Sequence, residues 1–419
     1  MLEYPIIRLE DYAVSDKNGF LPSTPPIANL PNTYYEPWES LASQLSTLIK
    51  DGSIRSLIDN MPILDVDLLL TEPEWQRAYS VLGFLTHAYI WGGTKPKDTI
   101  PPCITKPFLK ICAHLGLPPC ATYAGLTLWN YTARSDADIS DPDNLSLLTS
   151  FTNTPDEEWF LVISVAIEAK GGKLVTLMLD AIAAASANEV QRLTALLWKF
   201  TDGLRDFTST LQRMHEKCDP SVFFYQLRPF LAGSKNMASA GLPRGVFYDE
   251  GNGQGEWRQY SGGSNGQSSL IQTFDIFLGV NHHATGGLSG SSSYLQEMRN
   301  YMPDSHKRFL EILGRHCNIR SFVMSSLAEK LLKDAYNDAC MTLSAFRDTH
   351  MRIVSRYIVL AARRGAPTPP SPDNVNLATA SAQVDGLKDE NPSGLYGTGG
   401  TALMPFLKQT RDTTKDATF

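Results

Sequence analysis

The side chain with the clearest chemical potential is His350, inside the longest helical pattern of the chain, residues 321–364. Residues three and four apart share one face of a helix, so His350 lies in one stripe with Arg347 and Val354. A neutral imidazole is the commonest protein ligand for a metal ion, and a guanidinium binds carboxylates through two parallel hydrogen bonds. This stripe can therefore hold a metal centre beside an anionic group, although an isolated histidine on a long helix is more often an ordinary core or surface residue.

Two short aromatic stretches carry a second set of polar side chains. Phe160 and Ser164 are four residues apart, which places a ring and a hydroxyl on the same helix face. Phe223 and Arg228 are five residues apart and point about 140° away from each other on an ideal α-helix, so Phe224 is expected on the side of Arg228. Aromatic residues at helical spacing usually form ordinary core, and an arginine before a proline is often a cation at a helix end. Both interpretations stay open at this point.

Two glycine-rich stretches accompany these residues: SGGSNGQSS at 261–269 and GTGGT at 397–401. Glycine has no Cβ, so the backbone of such a stretch can approach a ligand closely. A phosphate-binding loop is the obvious alternative for the second stretch, but it requires a preceding strand and a Gly-Lys-Ser/Thr ending, and both are missing. We therefore expect two loops that approach a ligand with their backbone. The second follows a long Pro-rich tract, and a lid is one common reason for such a long loop.

Taken in chain order, these stretches and the segment ATYAGLT around Tyr123 resemble the indoleamine 2,3-dioxygenase family. The resemblance extends from about Tyr123 to Arg411, is weak before residue 100, and in its details is closest to fungal members. It implies a mainly α fold with a large all-helical haem-binding domain and a smaller, mostly helical N-terminal domain.

The resemblance also implies a role for each matching residue. His350 is the expected ligand of the haem iron, and the residues expected to contact the same cofactor are Arg347, Ser264 and Val354. The expected substrate-binding residues are Tyr123, Phe160, Phe223, its neighbour Phe224, and Gly263. The expected catalytic residues are Ser164, Arg228 and Thr398, with Thr398 contacting the substrate when the lid closes. The family commonly has a small residue where this chain has Asn265, so the pocket is expected to differ there.

The implied reaction is the oxidative cleavage of the indole C2–C3 bond of L-tryptophan by O₂, giving N-formylkynurenine, the first step of the kynurenine pathway to NAD. The implied cofactor is haem b, active as ferrous iron and kept reduced by a cellular reductant. An oxygen carrier or sensor on the same scaffold is the first alternative, and it would need neither Arg228 nor Thr398. A helical interaction module without haem is the second.

Composition narrows the class of protein. The chain has 419 residues, of which 42% are hydrophobic and 19% charged, as in folded globular proteins. The net charge of −7 argues against a nucleic-acid partner, which would require a basic face. The most apolar window, residues 78–94, is interrupted by polar residues, and no secretory signal is apparent, so neither a membrane nor export is expected. The six cysteines lack the spacing of a zinc or redox motif, and a cytoplasmic monomer with reduced thiols is expected.

The order of sequence patterns predicts two domains. Six prolines in the first 40 residues predict an extended arm, and helical periodicity follows from Trp38 to about Asn130. We predict a small N-terminal domain over 1–131 that covers the distal side of the haem, a linker over 132–156, and a large helical haem-binding domain over 157–419. Helices are predicted at 157–170, 173–187, 189–218, 269–279 and 321–364. Irregular structure is predicted for 241–269, and a mobile loop for 365–400.

Overall fold

The computed structural model describes residues 7–282, 293–326, 329–364, 395–398 and 402–419. Most of these residues are helical, as the sequence predicts. In chain order the α-helices are α1 Glu36–Ser43, α2 Leu45–Lys50, α3 Ile54–Asp59, α4 Glu72–Trp91, α5 Pro102–Leu115, α6 Pro155–Ser186, α7 Val190–Gln212, α8 Met214–Lys217, α9 Pro220–Val222, α10 Arg228–Leu231, α11 Ser269–Leu278, α12 Tyr294–Met298, α13 Asp304–His316, α14 Ile319–Ser325, α15 Lys330–Val354, α16 Ala361–Arg364 and α17 Leu403–Lys415.

Three long helices form the centre of the larger half of the molecule. α7 packs against both α6 and α15, and α15 also packs against α17. The contact face of α7 follows from its sequence, because apolar residues recur there at intervals of three and four positions. The buried residues of this stripe are Leu193, Leu197, Phe200, Leu204, Phe207 and Leu211. Burial of that stripe fixes the axis of α7 and, through it, the position of α15, which carries His350.

α6 is one continuous helix where the sequence predicted two. The predicted break fell at Gly171 and Gly172, which are poor helix formers. Both glycines serve close packing instead: a Cβ on Gly172 would lie 2.2 Å from the carbonyl oxygen of Lys17, and one on Gly171 would lie 2.4 Å from a methyl carbon of Leu270. These glycines therefore let the N-terminal arm and α11 approach a helix that continues through them.

The two other long predicted helices are interrupted. The pattern predicted as one helix over 189–218 divides at Arg213 into α7 and α8. The pattern over 321–364 divides into α14, α15 and α16, and residues 327–328 between α14 and α15 lie outside the described residues. Apolar periodicity therefore predicted correctly that these stretches are helical, but it was wrong about where the helices begin and end.

A β-hairpin occupies part of the stretch that was predicted to be irregular. Strand β4, Val246–Gly251, pairs antiparallel with β5, Gln254–Arg258, and β1, Thr99–Ile100, pairs parallel with β4. The turn between β4 and β5 contains Asn252 at φ 57° and Gly253 at φ 75°. Asn-Gly is the strongest short-range signal for a tight hairpin, because both residues tolerate positive φ. That signal was present in the sequence and was overlooked.

The predicted linker, residues 132–156, is ordered. Strand β2, Tyr131–Ala133, pairs antiparallel with β3, Leu145–Leu147. The division of the chain into two domains at this linker stays a prediction. The predicted mobile loop 365–400 lies outside the described residues except for 395–398.

Three π-helical segments occur among the described residues: Ala124–Leu128, Phe223–Leu227 and Ser355–Leu360. A π-helix closes its hydrogen bonds between residues five apart and is often found at functional sites. No helix in the described ranges is both long and apolar enough to cross a lipid bilayer.

Candidate active site

One cavity brings together most of the residues selected from the sequence. It has a volume of about 150 Å³ and lies between α6, α15, the glycine-rich stretch and the three π-helical segments. The selected residues that line it are Tyr123, Phe160, Ser164, Phe223, Arg228, Gly263, Ser264, His350, Val354 and Thr398. Arg347 and Phe224 are not among the lining residues.

His350 faces this cavity from the regular part of α15. Burial, and to a smaller extent the charge of Arg347, lower the pKa of its imidazole to about 4. The ring is therefore neutral at pH 7, and it makes no hydrogen bond or ion pair with the part of the chain that the structure describes. A neutral ring nitrogen facing a cavity is the form in which histidine binds a metal.

Arg347, one turn before His350, lies in a buried ion pair. Its Nη2 donates to both carboxylate oxygens of Asp275, each at 2.7 Å, and its Nη1 donates to the hydroxyl of Thr414 on α17. Burial alone would raise the pKa of Asp275, but the charges of Arg347 and His282 outweigh this effect and hold the pKa below its ordinary value. The guanidinium of Arg347, which was predicted to contact the haem, is thus held by α11 and α17.

Arg347 lines a second cavity of about 120 Å³ that adjoins the first. The residues lining both cavities include Ser164, Asn265 and His350. His350 therefore stands where the two cavities meet, and Arg347 faces the space next to it.

The segment Phe223–Leu227 explains how Phe223 and Arg228 can face one cavity. An ideal α-helix would separate them, but a π-helix brings residues five apart close to the same side. Both line the cavity, whereas Phe224 is fully buried, with its ring 5.7 Å below the guanidinium carbon of Arg228. The prediction that Phe224 lies next to Arg228 agrees with this placement, but its ring does not face the cavity.

Arg228 is fully buried and lines the cavity. Its Nη2 donates to the carbonyl oxygen of Tyr396 at 2.7 Å. Burial lowers the pKa of Arg228 to about 10, so the side chain is still cationic at neutral pH. Aromatic rings form another part of the cavity lining: those of Phe160 and Phe223 lie 4.9 Å apart between centroids, and Tyr357 packs edge-on against Phe223 at 5.8 Å.

Tyr123 is held at both its backbone and its hydroxyl. Its backbone N–H donates to Gln267 at 2.8 Å, and its hydroxyl donates to Glu168 at 3.0 Å. Ser268 donates to the same carboxylate oxygen of Glu168 at 2.6 Å. Burial raises the pKa of Glu168 to about 7, while the two hydroxyl donors oppose that rise. This buried network ties the first π-helical segment to α6 and to the glycine-rich stretch.

His87 on α4 connects α10 to the segment that precedes Tyr123. Its Nδ1 lies 2.7 Å from the carbonyl oxygen of Phe230, and its Nε2 lies 3.0 Å from the backbone nitrogen of Ala121. Since the Ala121 N–H can only donate, Nε2 accepts, and Nδ1 carries the proton that is donated to Phe230. Burial lowers the pKa of His87 to about 4, which keeps this neutral form at pH 7.

The two glycine-rich stretches contact each other directly. The Thr398 hydroxyl donates to the carbonyl oxygen of Gly263 at 2.7 Å, and the Gly262 N–H donates to the carbonyl oxygen of Thr398 at 3.0 Å. A Cβ on Gly262 would lie 2.0 Å from the carbonyl oxygen of Leu231, so only glycine fits there. Gly399–Thr401, the remainder of the predicted lid motif, lies outside the described residues.

Comparison with known proteins agrees with this site. The family model of indoleamine 2,3-dioxygenase matches residues 8–417. An indoleamine 2,3-dioxygenase of Aspergillus candidus is 43% identical over 97% of this chain and 96% of its own length. That of Saccharomyces cerevisiae is 38% identical over 98% of this chain and 93% of its own length, and a 6-hydroxytryptophan 2,3-dioxygenase of Fusarium equiseti is 41% identical over 97% and 96%.

The chain belongs to the indoleamine 2,3-dioxygenase family. Membership confirms the predicted family, the mainly α fold and the enzyme class, a haem-dependent dioxygenase. The match starts at residue 8, so the likeness also covers the N-terminal region in which the sequence motifs were weak. The oxygen carrier considered as an alternative gains no support from these relatives.

The described residues fit the haem that this family uses. An iron ligand is available in the neutral His350, which has no competing partner within the described ranges. The adjoining cavities have mainly apolar walls, such as Val354 and Leu407, and a cation lies beside His350 at Arg347. No group of three or more histidine, cysteine or carboxylate side chains that could hold a metal ion occurs in the described ranges.

Sequence reasoning missed four residues that shape this indoleamine 2,3-dioxygenase site: Glu168, Asp275, Tyr294 and Phe406. Two of them had a usable signal. Glu168 and Asp275 are isolated carboxylates within otherwise apolar helical runs, and a buried carboxylate must have a hydrogen-bonding or charged partner. Tyr294 and Phe406 reach the cavity through tertiary packing, and no local pattern announces them.

Proposed function

We propose that this protein cleaves the indole C2–C3 bond of L-tryptophan with O₂ to give N-formylkynurenine. The observation that carries the proposal is the arrangement of one cavity: a neutral imidazole, His350, at one side, a buried cation, Arg228, at another, and the aromatic pair Phe160 and Phe223 in its wall. The aromatic rings suit an indole, and the cation suits an α-carboxylate.

The aromatic and cationic groups divide the work of substrate binding. Rings such as Tyr123, Phe160 and Phe223 pack the indole, and an aromatic pair contributes about 0.5–1.5 kcal/mol beyond the burial of its area. Arg228 holds the α-carboxylate, and a hydrogen bond to a charged group contributes about 1.5–3 kcal/mol. Because both contacts act on the same molecule, at its ring and at its carboxylate, they orient the C2–C3 bond within the cavity.

We propose that the cofactor is haem b, held beside His350. His350 would hold the iron, and Val354, Ser264 and Arg347 would surround the cofactor. When bound, ferrous haem supplies the binding and activation of O₂, and a cellular reductant keeps the iron reduced. Ser164, which is nearly buried in the cavity wall, places a hydroxyl near the reacting ring.

Residues 395–398 cover one side of the cavity. Thr398 donates a hydrogen bond to Gly263, and the carbonyl oxygen of Tyr396 accepts one from Arg228. We propose that this contact excludes water from the reaction and that Thr398 also contacts the substrate's ammonium or carboxylate. Thr398→Ala should raise KM and lower turnover while leaving the haem spectrum unchanged, and unchanged kinetics would reject this role.

The setting proposed for the reaction is the cytoplasm, as the first step of the kynurenine pathway and of NAD biosynthesis. The six cysteines are free thiols, which agrees with a reducing compartment. A monomer is proposed because described residues of one chain supply the imidazole, the cation and the aromatic rings that line the cavity. The division into a small domain over 1–131 and a large domain over 157–419 is kept as part of this proposal.

The decisive experiment is turnover. The haem-loaded protein is incubated with L-tryptophan, O₂ and a reductant, and N-formylkynurenine is followed by its absorbance and by mass. With ¹⁸O₂ we expect both oxygen atoms in the product. A red protein that binds O₂ reversibly and forms no product would reject the proposal and favour an oxygen carrier.

A ring-hydroxylated tryptophan is a second candidate substrate, favoured by Asn265. This residue lines the cavity with an exposed side chain that makes no hydrogen bond within the described ranges, and it stands where the family commonly has a small residue. The Fusarium equiseti relative is named for 6-hydroxytryptophan. The two substrates are distinguished by measuring kcat/KM for L-tryptophan and for its 6-hydroxy derivative, in the wild type and in Asn265→Ala. If Asn265 recognises the ring hydroxyl, the substitution lowers kcat/KM for the hydroxylated substrate and leaves kcat/KM for L-tryptophan unchanged.

A further inference from the structure

Tyr294 lies in the cavity wall next to the glycine-rich stretch. It is the first residue of α12, whose start is fixed by a capping box between Ser293 and Gln296. Its ring packs edge-on against Phe406 of α17, with 4.8 Å between centroids. Its hydroxyl lies 3.3 Å from Oγ of Ser264, to which it donates a hydrogen bond.

The hydrogen bonds of Ser264 leave one direction for its own proton. Its Oγ accepts from Tyr294 at 3.3 Å and from the backbone N–H of Gly266 at 3.2 Å. A hydroxyl oxygen has two lone pairs and one hydrogen. Both lone pairs are therefore engaged, and no acceptor for the Ser264 hydrogen is found within the described ranges. Because Ser264 lines the cavity, that hydrogen is available to a group inside it.

We propose that Tyr294 is a positioning residue that makes Ser264 a hydrogen-bond donor to a carboxylate oxygen bound in the cavity. The inference rests on the proposed function, which brings two such carboxylates to the site: the α-carboxylate of the substrate and a propionate of haem. A hydroxyl donor and the cation Arg228 on one cavity wall suit an anionic oxygen.

The role of Tyr294 follows from what its hydroxyl prevents. A serine hydroxyl rotates freely and is both donor and acceptor. If only Gly266 donated to Ser264, the serine hydroxyl could still rotate and donate in another direction. Because Tyr294 donates to the second lone pair, the hydrogen of Ser264 can point in one direction only. Tyr294→Phe removes this constraint and keeps the ring against Phe406.

The test is a double-mutant cycle with Tyr294→Phe, Ser264→Ala and the two combined. Dissociation constants are measured by absorbance for haem on the apoprotein, and for L-tryptophan and its decarboxylated analogue tryptamine on the haem-loaded protein. Ser264→Ala is expected to weaken the binding of one carboxylate ligand roughly 10- to 100-fold, the effect of one hydrogen bond to a charged group, and Tyr294→Phe is expected to weaken it at least roughly 3-fold. The double variant should stay within about twofold of Ser264→Ala, because Tyr294 acts only through Ser264.

The three ligands distinguish the two sources of the carboxylate. If the substrate supplies it, L-tryptophan binds more weakly, whereas tryptamine and haem bind as in the wild type. If a propionate supplies it, haem binds more weakly before any substrate is added. Tyr12→Phe is the control, since Tyr12 lies in the N-terminal arm with its ring edge-on to Phe309 and outside both cavities; it should change none of the three constants.

Two results would overturn the inference. One is additive effects of Tyr294→Phe and Ser264→Ala, and the other is a Tyr294→Phe protein that binds all three ligands like Tyr12→Phe. Failure of the proposed function is distinguishable from both: it is a wild-type protein that binds no haem or forms no product, and the inference would then fall with it.

Discussion

The two walls of the cavity are built in different ways. The histidine wall (His350 and Val354, together with Arg347 in the adjoining cavity) lies on the regular α-helix α15. The arginine wall (Phe223, Arg228 and Gly263, together with the neighbouring Gly262) lies on a π-helical segment, the residue that follows it and a glycine-rich stretch. The histidine wall has side-chain anchors, Asp275 and Thr414, which hold Arg347. The arginine wall is anchored mainly through backbone atoms.

This difference matches what each wall must bind. A ligand to a metal needs one fixed direction, which a regular helix supplies. A substrate with a flat ring and a carboxylate needs an aromatic side chain and a cation to face the same space, and the π-helical segment achieves this for residues five apart. The backbone anchors of the arginine wall are the carbonyl of Tyr396, which binds Arg228, and the contacts of His87 with Phe230 and Ala121.

The largest effect is expected from the histidine wall. His350→Ala removes the proposed iron ligand, so haem affinity should fall by at least roughly 1000-fold, about 4 kcal/mol, and the purified protein should be colourless. His114→Ala, on the exposed pair with Glu72, is the matched control and should keep its haem. Absorbance titration of the apoproteins with haem measures the haem affinity of both variants. A His350→Ala protein that binds haem with wild-type affinity would show that His350 is not the iron ligand.

The buried ion pair should make the histidine wall the more sensitive to loss of a charge. Asp275→Ala leaves the buried charge of Arg347 without its partner, and the free energy of unfolding of the apoprotein should fall by about 3–5 kcal/mol. Asp338→Ala breaks the exposed pair with Arg205 and should cost at most about 1 kcal/mol. Urea unfolding of both variants tests this contrast, and equal losses would contradict it.

The arginine wall should depend on pH through His87. Its pKa is lowered to about 4 by burial, against 6.5 as its ordinary value, so between these pH values the unfolded chain binds a proton that the folded chain does not. The stability contributed by neutral His87 is therefore complete above pH 6.5 and is lost as pH falls through 4, by up to roughly 3 kcal/mol.

The comparison of wild type with His87→Gln isolates this contribution, because His306, whose pKa burial lowers to about 3, titrates in both proteins. Free energies of unfolding are measured in urea between pH 7 and pH 4. The difference between the two proteins should shift against the wild type as the pH falls. Parallel profiles would show that the contacts of His87 with Ala121 and Phe230 do not depend on its neutral form.

The smallest expected effect is the difference in stability between alanine substitutions at two neighbouring glycines of the arginine wall, Gly262 and Gly263. The Cβ of Gly262→Ala would lie 2.0 Å from a backbone carbonyl oxygen, whereas that of Gly263→Ala would meet the end of the Leu126 side chain at 2.5 Å. A side chain can turn away and the backbone cannot, so the first substitution should cost about 1–3 kcal/mol of stability and the second less than about 1 kcal/mol. Thermal unfolding of the two apoproteins ranks them, and the reverse order would contradict this account of the close approach.

The same contrast between walls decides how much could be predicted from the sequence. His350, Arg347 and Val354 follow from a 3.6-residue period, and the structure keeps them on one helix. Phe223 and Arg228 came only from family resemblance, because the period that brings them together is not that of an α-helix. Asp275 and Tyr294 reach the site from helices distant in sequence, and only tertiary packing reveals their partners. The β4–β5 hairpin was predictable from Asn252-Gly253 and was missed.

The most direct test of the central claim, that haem and substrate occupy one cavity between His350 and Arg228, is a titration of the haem-loaded protein with L-tryptophan. We expect a saturable shift of the haem absorption band in the wild type. In Arg228→Lys, which keeps the charge and loses the planar fork, the same shift should require roughly 10- to 100-fold more tryptophan. A wild-type spectrum that tryptophan does not change, or an Arg228→Lys titration identical to the wild type, would contradict the account.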